Sequence, residues 1–551
     1  EFRRVLFRSE GRRLIRENGV TYNVYGDAES TTRPWPVDPI PLTIGPEEWK
    51  GIEAAIQQRA TLLNKILLDL YGEQRLLRER FLPPDLVFPN TSFLRPCRGI
   101  ETPGKEFLHV YSADIARSPD GKWWVLSDRT QAPSGAGYAL ENRLVTTRVL
   151  QDAFREANVR RLAPFFQSYK ETLQSLARTN RDNPRIVLLT PGPYNETYFE
   201  HAFLARYLGY TLVEGADLTV RDDHVFLKTL GGLLPVDVIL RRQDDYFCDP
   251  VELRSDSMLG IPGLLQAVRT GNVAVANALG SGAVESPAYA PFLPGLCRHL
   301  LDEELKIPNV ATWWCGQKAP LQYVTENLER LVIKPAFPSR IFNPLFGAKL
   351  SKPEREALIA KIASSPADYV AQEQVALSTV PVWDEGHMGP RHMVVRVFAV
   401  ASNGSYAVMP GGLTRVSKAL DSMVVSMQSG GGSKDTWVQG EGPAPMFTLL
   451  RQFSHPLEVS RATFDLPSRV ADNLFWFGRY CERLDAALRV TRVLLPRFVH
   501  GGDASLEAGW RAALDVLSGM GYVGSGLDRA AAEHEVLDMI HNPKSPGGFV
   551  S

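Results

Sequence analysis

Apolar residues recur at three- and four-residue steps between Pro46 and Tyr71: Trp49, Ile52, Ile56, Leu63, Ile66, Leu67 and Leu70. That period puts them on one face of a helix. Pro46 suits a first helical turn and Gly72 suits its end. The element reads as a packing helix. Residues 107–129 read instead as a β-hairpin, with arms at 108–113 and 123–128 and Ser118-Pro119-Asp120-Gly121 as the turn. A Gly-rich loop, Gln131-Ala132-Pro133-Ser134-Gly135-Ala136-Gly137-Tyr138, then leads toward a helix.

Residues 185–217 read as strand, helix, strand. An apolar strand at 186–189 meets Thr190-Pro191-Gly192-Pro193, a helix follows over about 195–208, and a short strand at 211–214 closes the unit. This is a Rossmann-like βαβ piece. It lacks GxGxxG, so it is not read as a dinucleotide site. Further strands are expected at 236–241, 331–333, 369–377, 393–401 and 406–409, with partly helical structure over 259–279. Ser429-Gly430-Gly431-Gly432-Ser433-Lys434 reads either as a plain loop or as one facing phosphate or substrate. Everything after about residue 466 reads as helical, opening on a long amphipathic helix.

Length and composition narrow the picture. The chain has 551 residues, which calls for two or three domains. Its 61 Lys+Arg against 62 Asp+Glu give no broad basic field, so neither nucleic acid nor a membrane surface is an expected partner. Cys97, Cys248, Cys297, Cys315 and Cys481 are scattered singly, without CxxC spacing, as in a cytoplasmic protein. No run of 18 apolar residues marks a membrane span. The first nine residues read like translated sequencing-adapter DNA rather than a signal peptide, and the last ones like a chain stopped inside a helical domain.

Three groups of residues carry candidate chemistry. Lys334 ends an apolar strand before a loop with Ser339 and Arg340, and Gln372-Glu373-Gln374 interrupt a later apolar strand. Alone, Lys334 also fits a solvated strand end. The polar run suits a hinge strand lining a base pocket. Asp114 and Asp128 end the two hairpin arms, with Asn142 as a further oxygen donor; such acids share a cation or are ordinary turn acids. Arg396 and Arg415 accompany Gly411, Gly412 and Thr414, where glycines let backbone amides approach an anion or simply form a turn.

Several segments together resemble the circularly permuted ATP-grasp (type 2) proteins, whose better-understood relatives include the ligase domain of glutathionylspermidine synthetase. They are Tyr111-Ser112-Ala113-Asp114, the run from Gln131 to Arg143, Arg241-Arg242-Gln243-Asp244-Asp245, the run from Gly271 to Ala278, Val332-Ile333-Lys334-Pro335, and Met409-Pro410-Gly411-Gly412-Leu413-Thr414-Arg415. The acidic hairpin precedes the lysine strand, the reverse of an ordinary ATP-grasp chain. Asn473-Leu474-Phe475-Trp476-Phe477-Gly478-Arg479-Tyr480-Cys481-Glu482-Arg483 resembles the start of an alpha-E domain, with Glu482-Arg483 as a polar pair suited to helix packing.

The resemblance implies an α/β fold, an α+β ATP-grasp with a Rossmann-like piece at about 184–245, followed by a small all-α segment. The implied division is an N-terminal region at 10–100, the ATP-grasp domain at 101–460 and a truncated alpha-E domain at 466–551. It implies a bacterial ATP- and Mg²⁺-dependent carboxylate–amine ligase working through an acyl phosphate on small-molecule or peptide substrates. Lys334, Gln372, Glu373, Gly411 and Gly412 would hold ATP, Asp114, Asp128 and Asn142 the metal, and Arg396 and Arg415 the reacting group. The helical segment would offer a surface to a protein partner. One departure stands out: the Glu-x-Asn expected after the hairpin is Ser127 and Arg129 here, with Asp128 between them. Two alternatives follow: an ATP-grasp scaffold that binds nucleotide or a partner without turnover, and a helical interaction module with a purely structural N-terminal part.

Overall fold

In the computed structural model, residues 2–24, 32–178, 183–338, 342–384, 387–420, 422, 424–442, 466–499 and 504–542 are described. Two compact units emerge, one formed by Glu1–Lys228 with Leu233–Arg461 and the other by Thr229–Gly232 with Ala462–Ser551.

Three sheets of four or more strands organise the first unit, beside two smaller ones. The largest is mixed and runs in the order Val37–Ile44, Gly432–Val438, Leu413–Val416, His387–Ser402, Val110–Arg117, Trp123–Arg129. Only its first pair is parallel; every other pairing is antiparallel. The second sheet is wholly parallel, in the order Ala274–Ala276, Val238–Arg241, Ile186–Leu189, Thr211–Val213. With the helix Tyr198–Leu208 it is the expected Rossmann-like piece, and its middle strands are buried throughout, as parallel strands are. The third is antiparallel: Thr312–Trp314, Tyr369–Glu373, Leu331–Pro335, Leu345–Phe346.

The helix expected from the apolar period spans Pro46–Tyr71, and all seven patterned residues are buried. The Gly72 N–H bonds to the Asp69 carbonyl and closes it. Its apolar face joins a core that also takes in Tyr111, Ala113, Ile115, Val395 and Val397 of the large sheet. The helix thus braces the sheet that carries the candidate site.

The hairpin is longer than its pattern indicated, Val110–Arg117 against Trp123–Arg129. Asp114 therefore sits within a strand rather than at its end. Asp114 faces Ser127, but Ile115 faces Val125, so Leu126 is bulged out. Across the ladder Asp128 pairs with Ala113, which leaves Ser127 and Arg129 on the Asp114 side. The glycine-rich stretch at 429–434 runs into the strand Gly432–Val438, where buried Lys434 bonds to Asp38 at 2.5 Å. That lysine is structural rather than phosphate-facing.

The first nine residues were set outside the fold from their sequence; residues from Phe2 belong to a helix, Phe2–Glu17, whose buried Leu14 and Ile15 lie beyond that opening stretch. The second unit holds the helices Ser468–Val499, Ala504–Gly519 and Arg529–His541 around Leu494, Trp510, Leu514, Leu517 and Val536. Arg483 donates to the Met520 carbonyl within it. Ser339 and Arg340 lie outside the described residues.

Leu63 is fully buried on the bracing helix. Leu63→Ala is expected to lower unfolding stability by about 2–5 kcal/mol, through lost transfer energy and a residual cavity; urea denaturation measures it.

Candidate functional site

Asp114 is the centre of the site. Strand pairing sets it opposite Arg396, and Arg415 comes from the neighbouring strand Leu413–Val416. Arg396 grips the carboxylate with two hydrogen bonds, Nε to Oδ1 at 2.8 Å and Nη2 to Oδ2 at 2.9 Å. Arg415 Nη2 donates to Oδ1 at 2.7 Å and Ser127 Oγ to Oδ2 at 3.0 Å. Arg129 Nε stands 3.9 Å from Oδ2, while its Nη1 donates to Glu285 at 2.9 Å.

Burial by itself would raise the Asp114 pKa, but the Arg396 and Arg415 guanidiniums outweigh it and hold the carboxyl far below the usual range. Burial lowers Arg415 to about 10, against the pull of Asp114 and with the push of Arg396 and Arg129. Nε of Arg129 and Nε of Arg415 are buried and make no hydrogen bond among the described residues. The cluster is net cationic with donor capacity to spare, a setting for an anion.

Lys334 stands beside it. Its strand lies antiparallel to Tyr369–Glu373, so Lys334 Nζ donates to Gln372 Oε1 at 2.5 Å, and Gln372 Nε2 donates to Thr312. Burial, followed by the nearby Arg129 charge, lowers the Lys334 pKa to about 8 although Asp114 opposes the shift. A cavity of about 520 Å³ collects Asp114, Ser127, Arg129, Lys334, Gln372, Glu373 and Arg415 with an apolar wall that includes Val332, Phe342 and Leu377. One polar end and one apolar end suit a nucleotide.

A second cavity, of about 560 Å³, shares Arg129, Arg415 and Ser426 with the first. Arg396, the loop from Gln131 to Gly135, Glu196, Asp244, Glu285 and the aromatic rings of Tyr22, Trp35 and Tyr138 line it. The loop is held by carboxylates: Glu200 accepts from the N–H groups of Gly135 and Gly137, and Glu285 from those of Thr130 and Gln131. Gly135 has φ of 113°, a left-handed conformation, and a Cβ there would come within 3.0 Å of Leu413.

Four residues expected at the site are elsewhere or otherwise engaged. Asp128 faces away from Asp114: Arg59 of the bracing helix binds both its oxygens at 2.6 and 2.8 Å, and Tyr111 donates at 2.6 Å. The bulge precedes Ser127 and does not turn Asp128 round. Asn142 is fully buried in the helix Ala136–Val149, accepting from Trp35 Nε1 and donating to Ser433. Gly411 and Gly412 line neither cavity: the Gly411 N–H donates to the Met409 carbonyl at 2.7 Å, and a Cβ on Gly412 would sit 2.6 Å from the Arg396 carbonyl oxygen. Glu373 does line the nucleotide-sized cavity, on its exposed side.

These donors do not fit a divalent cation held by protein carboxylates. The one carboxylate at the centre is saturated by guanidiniums, and the described residues contain no group of three or more His, Cys, Asp or Glu suited to a metal. Reasoning from the sequence also left Glu285, Glu196, Asp244 and Arg59 without a role. Asp244 stands in a segment the resemblance picked out, which was the one available signal.

Comparison with known proteins agrees with this architecture. Residues 41–417 match the family described as circularly permuted ATP-grasp type 2. Residues 466–551 match a predicted alpha-helical domain with a conserved ER motif; Glu482-Arg483 is the Glu-Arg dipeptide in that stretch. An uncharacterised protein of Synechocystis sp. is 39% identical over 420 residues, covering 76% of this chain and 87% of the relative. An uncharacterised protein of Mycobacterium tuberculosis is 35% identical over 560 residues, or 98% of this chain; the chain spans 63% of the length of that protein. Among solved structures, a glutathione synthetase-like effector from Globodera pallida, in apo form, superposes with a TM-score of 0.52 at 13% identity, covering 79% of this chain and 96% of that one. The likeness is one of fold. Among the described residues no helix is long and apolar enough to cross a membrane.

Removing the counter-anion leaves Arg396 and Arg415 buried without a carboxylate. Asp114→Ala is expected to cost about 3–5 kcal/mol of unfolding stability, read by urea denaturation.

Proposed function

The chain belongs to the circularly permuted ATP-grasp type 2 family, and we propose that it is an ATP-dependent carboxylate–amine ligase working through an acyl phosphate. The observation that carries this reading is the junction of the two cavities at Arg129 and Arg415. A nucleotide in the first cavity and an acid in the second would meet at one cationic cluster.

In the proposed reaction the adenine lies against the apolar wall and the strand carrying Gln372 and Glu373, and Lys334 holds the phosphates. The substrate carboxylate attacks the γ-phosphorus; a carboxylate O–P bond forms and the bond to the β-phosphate oxygen breaks, releasing ADP. Arg396 and Arg415 orient the carboxylate and, with Arg129, balance charge on the transferring group. The amine then attacks the acyl carbon, inorganic phosphate leaves, and a proton passes from nitrogen to solvent. ATP-grasp enzymes generally take Mg²⁺ with ATP. Here the central carboxylate, Asp114, is already bound by guanidiniums, and Lys334 with the three arginines would supply positive charge to the phosphates. Free thiols at Cys97, Cys248, Cys297 and Cys315, all buried, fit a reducing cytoplasm. We assign the helical C-terminal unit the role of presenting a surface to a protein partner.

The saturation of Asp114 favours one other reading, a scaffold that binds nucleotide without turnover. ADP release from ATP and Mg²⁺, measured across a library of acids with amines, separates the two. The ligase gives release that depends on both co-substrates, and Lys334→Ala lowers it about 10²–10³-fold. ATP binding with no turnover under any of these conditions would sink the ligase assignment.

Lys334 sets the pH dependence. Phosphate binding favours its ammonium form, which is present below about 8 and lost as pH rises. ATP affinity measured by calorimetry should therefore fall between about pH 7 and about pH 9, with a flatter profile in Lys334→Ala.

A further inference from the structure

Arg129 lines both cavities, and its own strand places it there. Ser127 and Arg129 lie on the Asp114 side of the hairpin, while Asp128 takes the other side and is bound by Arg59 and Tyr111. The Asp114 side therefore presents one carboxylate, one hydroxyl and one guanidinium. The hydroxyl is already engaged, because Ser127 Oγ donates to Asp114.

Glu285, at the end of the turn Ser281–Glu285, anchors Arg129. Its Oε1 accepts from Arg129 Nη1 at 2.9 Å, and its Oε2 accepts from the N–H groups of Thr130 and Gln131 at 3.0 and 3.1 Å. Both oxygens of that carboxylate are thus engaged. The guanidinium is not: apart from the 3.9 Å approach of Nε to Asp114, Nε and Nη2 of Arg129 have no partner among the described residues. Lys334 and Arg415 line the same nucleotide-sized cavity.

A divalent cation at this point would need anionic oxygens to coordinate it. Asp114 has given its oxygens to Arg396, Arg415 and Ser127, and Glu285 has given its own to Arg129 and two backbone amides. The ion would also be repelled by the Arg129 and Arg415 guanidiniums. A guanidinium does not give up its proton in a protein, so that repulsion persists. A triphosphate meets the opposite situation. Its oxygens accept from guanidinium N–H groups, and removing its metal makes it more negative and a better counterpart to this wall.

We propose that Arg129 takes the place of the divalent cation, so that the first cavity binds a nucleoside triphosphate in its metal-free form, with the phosphates on Arg129, Arg415 and Lys334. The proposal rests on the nucleotide assignment of the ligase reading and concerns the form in which the nucleotide binds, not its turnover.

The test is calorimetry on the full chain with a non-hydrolysable ATP analogue, once in excess EDTA and once in excess Mg²⁺, at equal ionic strength because salt screens such contacts. The analogue should bind at least as tightly in EDTA as in Mg²⁺, a comparison that needs no variant. Arg129→Asn, with circular dichroism unchanged, should shift the ratio of the two affinities toward Mg²⁺ by about tenfold, the loss of one charge-assisted contact to the metal-free form. The proposal is overturned if the analogue binds more weakly in EDTA than in Mg²⁺, if it binds in neither, or if Arg129→Asn leaves the ratio as it was. Binding that requires Mg²⁺, together with ADP release that depends on acid and amine, sinks this proposal and leaves the ligase reading. Binding in EDTA, with no turnover under any condition, does the reverse.

Discussion

The carboxylate of Asp114 is the constraint on which the site depends. Guanidiniums brought together at the middle of a buried sheet repel one another and lose hydration, so the cluster needs an anion at its centre. Asp114 supplies it, bound by Arg396 and Arg415 and approached by Arg129. The three strands that carry Asp114, Arg396 and Arg415 adjoin in the large sheet, so strand pairing fixes the charges in place. In the proposed reaction the same interaction would give the site its reserve: a phosphoryl group offers the anionic oxygens that Asp114 now provides and would compete for the same donors. In that reaction Asp114 would act as a placeholder that keeps the arginines assembled between turnovers.

The lysine sheet and the parallel sheet meet this cluster from different parts of the chain. Lys334 arrives on an antiparallel strand whose neighbour supplies Gln372, and Asp244 arrives at the carboxyl end of a parallel strand. In the proposed reaction the first sheet would contribute phosphate contact, while the second places acidic groups on the adjoining cavity. The large sheet contributes the charge that joins them. In the proposed reaction this separation matters, because the acid and the nucleotide must be held by different elements and still share one reacting centre.

Local patterns were legible in the sequence, and long-range partners were not. The helix Pro46–Tyr71 follows directly from its apolar period, and Lys334 and the run Gln372-Glu373 could each be placed on a strand by an apolar frame, though not that the two strands pair. The ATP-grasp family was legible from its motifs. Asp128 was not, because its fate is decided by Arg59, a residue inside an amphipathic helix 69 positions away. Asn142 was missed for a similar reason: its partners, Trp35 and Ser433, come from remote ends of the unit. Gly411 and Gly412 carry the composition of an anion loop, and only the closeness of the Arg396 backbone shows that the space is taken.

Separation along the chain also bears on how a permuted order can build such a site. Asp114 and Arg396 are 282 positions apart, and the intervening chain holds both the parallel sheet and the lysine sheet. Loop-closure entropy grows only with the logarithm of length, about 0.6 kcal/mol for each doubling. Bringing these strands together across so long a connection therefore costs only about 3–4 kcal/mol more than closing a tight hairpin, and the intervening sheets stabilise themselves through their own cores. What has to be preserved under permutation is the pairing of strands that sets Asp114 beside Arg396 and Arg415. The order in which the chain delivers those strands is thermodynamically secondary.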